Sequence, residues 1–404
     1  MTVRDHENFS GSAITNFPVG FRGSDERSTQ FKRGRYVVMP LREIRVWISK
    51  GQGQQVEGKL MSQAKTWKRT GWMVRAGTLA GIGSLAMAAQ PARATPLQDP
   101  YGTWTVQGEN DAVSTLNGTS DQYYTSGLRV NWTSGTDNQP APIETINHAI
   151  MGKGVTRISL GVQQLIFTPH DTQLATPSPS DRPYAGLLLG TVNLINDTDL
   201  SRSVFGIQFG VMGPDAMGRQ LQNGFHSAIG DTSNLGWKHQ LANQPVFQVQ
   251  GGRTWRLPMA NIYGVEMDMM PATSAAIGDY RIYGTVADTF RIGQGLRSDF
   301  GIPTIGPGTD GTDAYRLTRP VAWYVFGNVT GSAVAYDATL QGNTLRSGSP
   351  HVPMNWDVGE IHAGVAIMWH GMRLSYSQVW QTQEFRGARS GLFNYGSLAL
   401  SGKF

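Results

Sequence analysis

A chain of 404 residues with no Cys, 50 Gly and only 16% charged side chains excludes a disulfide scaffold, thiolate metal sites, Cys nucleophiles and a charged helical bundle. Its net charge of +5 suggests nucleic acid only until that charge is located. Residues 1–94 hold 15 Lys and Arg against 6 Asp and Glu, whereas residues 95–404 hold 19 against 23, so the body of the chain is mildly acidic and nucleic acid is not its expected partner.

From Met61 the sequence carries Lys65, Lys68, Arg69 and Arg75 with no acidic residue, then the small and aliphatic run Ala76–Ala89, then Ala92-Arg93-Ala94. That run is shorter than the ~20 residues a membrane-spanning helix needs. A basic segment, a short apolar segment and an A-x-A site predict a secretory signal peptide over 61–94, although a short buried helix would read similarly. Residues 1–60 are then an upstream extension, translation is expected to begin at Met61, and the mature chain is 95–404 with Thr95 at its start.

After residue 94 no stretch reaches 18 apolar residues, and alternation with period two recurs instead. Leu128, Val130 and Trp132 face opposite to Arg129 and Asn131, and Met372, Leu374 and Tyr376 alternate with Arg373, Ser375 and Ser377. Twelve such segments follow in order: 102–110, 123–133, 155–168, 183–195, 202–212, 244–256, 259–271, 276–291, 320–333, 355–369, 371–382 and 394–404. An even number of strands, apolar on one face and small or polar on the other, predicts a twelve-stranded antiparallel transmembrane β-barrel. Trp104, Trp132, Trp323, Trp356, Trp369 and Trp380 fall near strand ends, as an aromatic girdle requires. A soluble β-sandwich or lipocalin-like barrel would bury the apolar face instead; strand length and the terminal Phe404 favour the membrane.

With both termini periplasmic, segments 111–122, 169–182, 213–243, 334–354 and 383–393 become extracellular loops, while 134–154 and 292–319 are unusually long for periplasmic turns. Three polar groups fall on the outer rim. Glu109, Asn110 and Asp111 end the first strand where Asp121 to Thr125 open the second, so adjacent strands bring together oxygens of the kind a hard cation such as Ca²⁺ takes; a solvated hairpin tip has the same composition. Asp181 and Arg182 open the fourth strand and can simply pair with each other. Loop 213–243 contains a predicted short helix over 214–228 with Gln222 and His226 on one face, and His is the side chain suited to general-base work near neutral pH. A lone loop His is more commonly solvated. No GxSxG elbow, HExxH pair or P-loop occurs.

Taken together, GENDAVS, YYTSGLRVNW, DRPYAG, VMGPDAMGRQLQNGFHSAIGD and the terminal EFRG and FNYGSLALSGKF resemble the lipid A 3'-O-deacylase family of Gram-negative outer membranes. The resemblance implies a site between the barrel wall and a helix in an extracellular loop, where Ca²⁺ forms the oxyanion site and a His activates water. Asn110 and Asp111 match the family's Asn-Asp pair, Thr125 its Thr, and His226 its catalytic His. Asp231 or Gln222 would orient the ring. The family's active-site Lys, expected in loop 169–182, has no counterpart here. The expected function is Ca²⁺-assisted hydrolysis of an ester-linked acyl group of lipid A, with the outer-leaflet lipopolysaccharide as partner and the C-terminal strand as the segment taken up by the barrel-assembly machinery. A non-enzymatic channel or envelope-structural barrel is the alternative.

Overall fold

The computed structural model describes residues 98–404 apart from 112–120, 138 and 306–312, all within the compact unit Gln90–Phe404. The predicted upstream extension and signal peptide lie outside the described residues.

In chain order the elements are β1 (Thr103–Asn110), β2 (Tyr123–Thr133), helix α1 (Ala141–Met151), β3 (Val155–Thr168), β4 (Ala185–Asp197), β5 (Ser201–Met212), helix α2 (Gly218–Ile229), β6 (Gln244–Trp255), β7 (Leu257–Ile262), β8 (Val265–Gly278), β9 (Arg281–Gln294), β10 (Val321–Asp337), the one-turn helix α3 (Ala338–Gln341), β11 (Asp357–Trp369), β12 (Met372–Gln381) and β13 (Phe393–Lys403). Each strand pairs antiparallel with its sequence neighbour except β6 with β7, and β1 pairs with β13. The ring closes where β6 and β7 both meet β8, through Thr254↔Ala272 and Leu257↔Met269. Those two strands are therefore halves of one stave interrupted at Arg256, and the barrel has twelve staves.

The predicted strand 259–271 is corrected at this stave. The chain turns at Tyr263–Gly264, where φ of 51° and 84° and the pair Ile262↔Val265 make a two-residue hairpin with both central residues left-handed. The predicted break at 257–258 lies inside the stave, and the one at 272–275 lies inside β8, whose real turn is Asp279–Tyr280. The two shifts have the same direction, so the strand count is unchanged.

Burial alternates along the staves in the inverted sense of a soluble barrel. On β1, Trp104 and Val106 are exposed while Thr103, Thr105 and Gln107 are buried; on β2 and β3, Leu128, Val130, Leu160 and Val162 are exposed. An apolar outside over a polar inside matches a hydrocarbon surround and overturns the lipocalin-like alternative. Among the described residues no helix is long and apolar enough to cross a membrane.

Both long connections expected on the periplasmic side acquire an explanation. Segment 134–154 carries α1, tied to the barrel by Asn147 Nδ2 donating to the Ile195 carbonyl at 2.9 Å. In the second connection, the described residues 295–305 and 313–320 fold back into the lumen. There Pro303 O accepts from Gln107 Nε2 at 2.9 Å, Ile305 N donates to Glu109 Oε1 at 2.8 Å, and Asp313 pairs with Arg129 at 2.8 Å. Asp299, fully buried, bridges Arg291 at 2.6 Å and Arg373 at 3.3 Å.

Candidate functional site at the outer rim

Helix α2 starts after Met217 in a left-handed conformation and stops at Gly230, whose φ of 77° lets its N–H cap the carbonyls of His226 and Ser227. Spacing of four residues places Gly218, Gln222 and His226 on one buried face. Met217, Leu221, Phe225 and Ile229 repeat at the same spacing and are 43–60% exposed. The buried face lies on the outer ends of β3 and β4, where Ile166, Tyr184 and Trp237 pack together. Contact is close enough that a β-carbon on Gly186 would lie 3.1 Å from Gly218 Cα.

The His226 ring is 7% exposed and has two polar partners. Nδ1 lies 2.7 Å from the Thr232 carbonyl; a carbonyl only accepts, so Nδ1 carries a proton. Nε2 lies 2.9 Å from Asp121 Oδ2. Asp121 Oδ2 also accepts from Asn234 Nδ2 at 2.7 Å. Asn234 is in turn fixed to α2 by its N–H on Asn223 Oδ1 at 2.9 Å and its carbonyl on Asn223 Nδ2 at 3.2 Å.

The residues expected to orient the ring do other work. Gln222 Oε1 accepts from Trp237 Nε1 at 2.8 Å, and Asp231 Oδ1 accepts from Thr232 N at 2.7 Å. Asp121 carries the orienting contact instead. Its place beyond a long loop gave sequence spacing no route to α2.

One residue on, the Gln122 N–H donates to Asp111 Oδ2 at 2.9 Å, and Gln122 Oε1 accepts from His170 Nδ1 at 2.8 Å. The register Asn110↔Ser126 sets Asp111 opposite Thr125. Thr125 is the extra residue of a β-bulge, since Tyr124 pairs with Phe167 and Ser126 with Ile166; its Oγ1 lies 2.7 Å from Thr168 Oγ1. Asn110, Asp111 and Thr125 thus fall at one corner of the β1–β2 pair. They offer one carboxylate, one amide and one hydroxyl, a donor set of hard oxygens that fits Ca²⁺ and suits neither zinc nor copper. Among the described residues no group of three His, Asp or Glu side chains gathers as a metal cage.

A cavity of about 440 Å³ opens beside Asp111, lined also by Gln122, Tyr123, Arg389 and Phe393; His226 is not in its wall. Arg182 is not the missing cation of the rim. Its guanidinium is buried over the Phe167 ring at 4.4 Å, pairs with Glu384 and donates to Thr339 Oγ1 at 2.8 Å. Asp181 accepts the backbone N–H of Arg182 at 2.7 Å and that of His170 at 2.9 Å, so the expected side-chain pair with Arg182 is replaced by the tie to Glu384. Tyr184 closes the same corner, its OH donating to the Thr172 carbonyl at 3.3 Å, and burial pushes its phenol above the ordinary range.

Fold and rim together define a β-barrel of the outer membrane with a polar site against the outside of its wall. The family described as outer membrane protein LpxR matches residues 79–404, and the chain belongs to it: these are the outer-membrane lipid A deacylases that the sequence motifs resemble. LpxR from Salmonella typhimurium has a similar structure, with TM-score 0.61 and 22% identity over 75% of this chain and 100% of that one, a likeness that carries the fold. The β domain of the Bordetella autotransporter BrkA aligns with 76% of this chain and 100% of its own at 12% identity and TM-score 0.39. No curated protein matches the chain.

Proposed function

We propose that the protein removes the ester-linked 3'-acyloxyacyl group of lipid A in the outer leaflet, with His226 as general base toward water. The observation that carries this reading is the pairing of two faces on α2: His226 lies on the wall side, while the adjoining flank, one residue or about 100° round the helix, is a bare stripe of Met217, Leu221, Phe225 and Ile229. An amphipathic helix of this kind lies at the boundary of headgroups and acyl chains, so the base sits where a lipid's ester would be.

Asn110, Asp111 and Thr125 would hold Ca²⁺, which when bound supplies positive charge for the oxyanion of ester hydrolysis. His226 takes the proton of the attacking water, and the wall-side packing of Tyr184 and Trp237 keeps bulk water from the ring. In this reading the chain is exported through segment 61–94, leaving Thr95 first, and is delivered to the barrel-assembly machinery through β13.

A non-enzymatic barrel is the second reading, favoured by the absent loop Lys. Its channel form fits poorly with a lumen that holds residues 295–305 and Asp313. Mass spectrometry of lipid A from cells with and without the gene decides: loss of the 3' acyloxyacyl mass only when the gene is present is expected, and identical lipid A would end the enzymatic reading.

A further inference from the structure

The ring of His226 has an acceptor at each nitrogen, Thr232 O at 2.7 Å and Asp121 Oδ2 at 2.9 Å. A general base needs one nitrogen with a free lone pair, so one of the two contacts must open before water can be activated. The two are held very differently. Asp121 is secured through Asn234, itself locked to α2 by two bonds to Asn223, and through the neighbouring Gln122, whose N–H is clasped by Asp111. Thr232 lies in the exposed segment 231–233: its N–H is bonded to Asp231, its hydroxyl reaches Gln173 Nε2 and Asp231 Oδ1 only at 3.5 Å, and the segment's tie to α2 is the Asp231 N–H on the His226 carbonyl at 2.8 Å.

We propose that Asp121 is the positioning residue of His226, and that Nδ1, on the Thr232 side, is the nitrogen that takes the proton. The inference rests on the reading of His226 as the base. When segment 231–233 withdraws, the Nδ1 proton passes to solvent water; the neutral ring keeps its proton on Nε2, donated to Asp121, and Nδ1 presents its lone pair. Water then loses a proton to Nδ1 as its oxygen forms a bond to the acyl carbon. The resulting imidazolium, paired with Asp121, returns that proton to the sugar oxygen as the ester C–O bond breaks, giving the free acid and the alcohol. Without Asp121 nothing fixes the tautomer with Nε2 protonated. The same arrangement links the two halves of the site, since Asp111 holds the residue beside the one that holds His226.

The test measures kcat and KM on purified lipid A in detergent for the full barrel, Asp121→Asn, His226→Gln and the double variant. Asp121→Asn is expected to lower kcat by about 10²–10³-fold with KM within about twofold, because only the tautomer and the imidazolium are affected. The double variant should be no slower than His226→Gln alone, whereas a merely structural Asp121 would multiply the losses. Should Asp121→Asn fail to assemble, Asn234→Ala removes only the second bond to Asp121 and is expected to cost about tenfold in kcat; no loss there overturns the proposal. Parent-like kcat in Asp121→Asn beside an inactive His226→Gln overturns the positioning role and leaves the base in place. Parent-like activity in His226→Gln overturns the proposal together with the reading beneath it.

Discussion

Gly186 of the RPYAG segment and Gly218 at the start of α2 touch backbone to backbone, and this contact sets the height of His226 above the wall. A β-carbon on Gly186 would lie 3.1 Å from both Cα and N of Gly218, and one on Gly218 would lie 2.9 Å from the Trp237 ring. Neither glycine has a positive φ, so the requirement is for space and not for backbone freedom. Gly218→Ala should displace α2 from Trp237 and reduce deacylation at least tenfold, since misplacement by about 1 Å can cost ~10²-fold. Barrel assembly, read as heat-resistant migration on gels, should be unchanged because no stave is involved. Parent-like turnover in Gly218→Ala would show that the helix seat does not position the base.

His226 itself gives the plainest prediction. A general base contributes roughly 10²–10⁴-fold, so His226→Gln should lose at least the lower figure in kcat. His239, exposed in the same loop, serves as the control: His239→Gln should retain parent activity. Equal activity of the two variants would remove His226 from the mechanism.

The strands and the wall-facing helix were legible because each depends on local pattern, period two and period four. Three features were not. The turn at Tyr263–Gly264 was hidden because Tyr is an unusual left-handed residue, and Pro258 and Pro271 lie within the staves on either side. The lumen segment has no periodicity and is held by contacts such as Gln107 to Pro303, 196 residues apart. Asp121, two residues before β2, meets His226 on the helix before β6, a contact between residues 105 positions apart.

The lumen segment should behave as an acid-sensitive plug. Burial alone would raise the Asp299 carboxyl, but Arg291 and Arg373 outweigh it and hold it below the ordinary carboxylate value. A depressed folded-state value means that its contribution is present above the unfolded value, ~4, and is lost as pH falls through the folded one. Between pH 5 and 8 this group should therefore leave stability flat. Asp299→Asn breaks a buried pair at a cost of about 3–5 kcal/mol. It is expected to raise single-channel conductance in planar bilayers at neutral pH, where the parent is closed. An open parent, or a closed variant of lowered stability, would contradict the plug.

Removal of the cation tests the other half of the site. Excess chelator should abolish deacylation while leaving the barrel assembled, because β1 and β2 are held by eight backbone pairs from Thr103↔Thr133 to Asn110↔Ser126 without help from a metal. Asp111→Asn is the matched variant. Its amide oxygen can still accept the Gln122 N–H that buttresses Asp121, so the base keeps its seat, but the only carboxylate among Asn110, Asp111 and Thr125 is gone. Hard cations bind through anionic oxygen, and loss of that charge should raise the Ca²⁺ needed for half-maximal rate far more than it raises KM for lipid A. Asp111→Ala, which loses both the charge and the acceptor, should be worse than Asp111→Asn at saturating Ca²⁺. Activity that persists undiminished in chelator would exclude the cation from the mechanism and leave His226 and Asp121 to act with neutral donors alone.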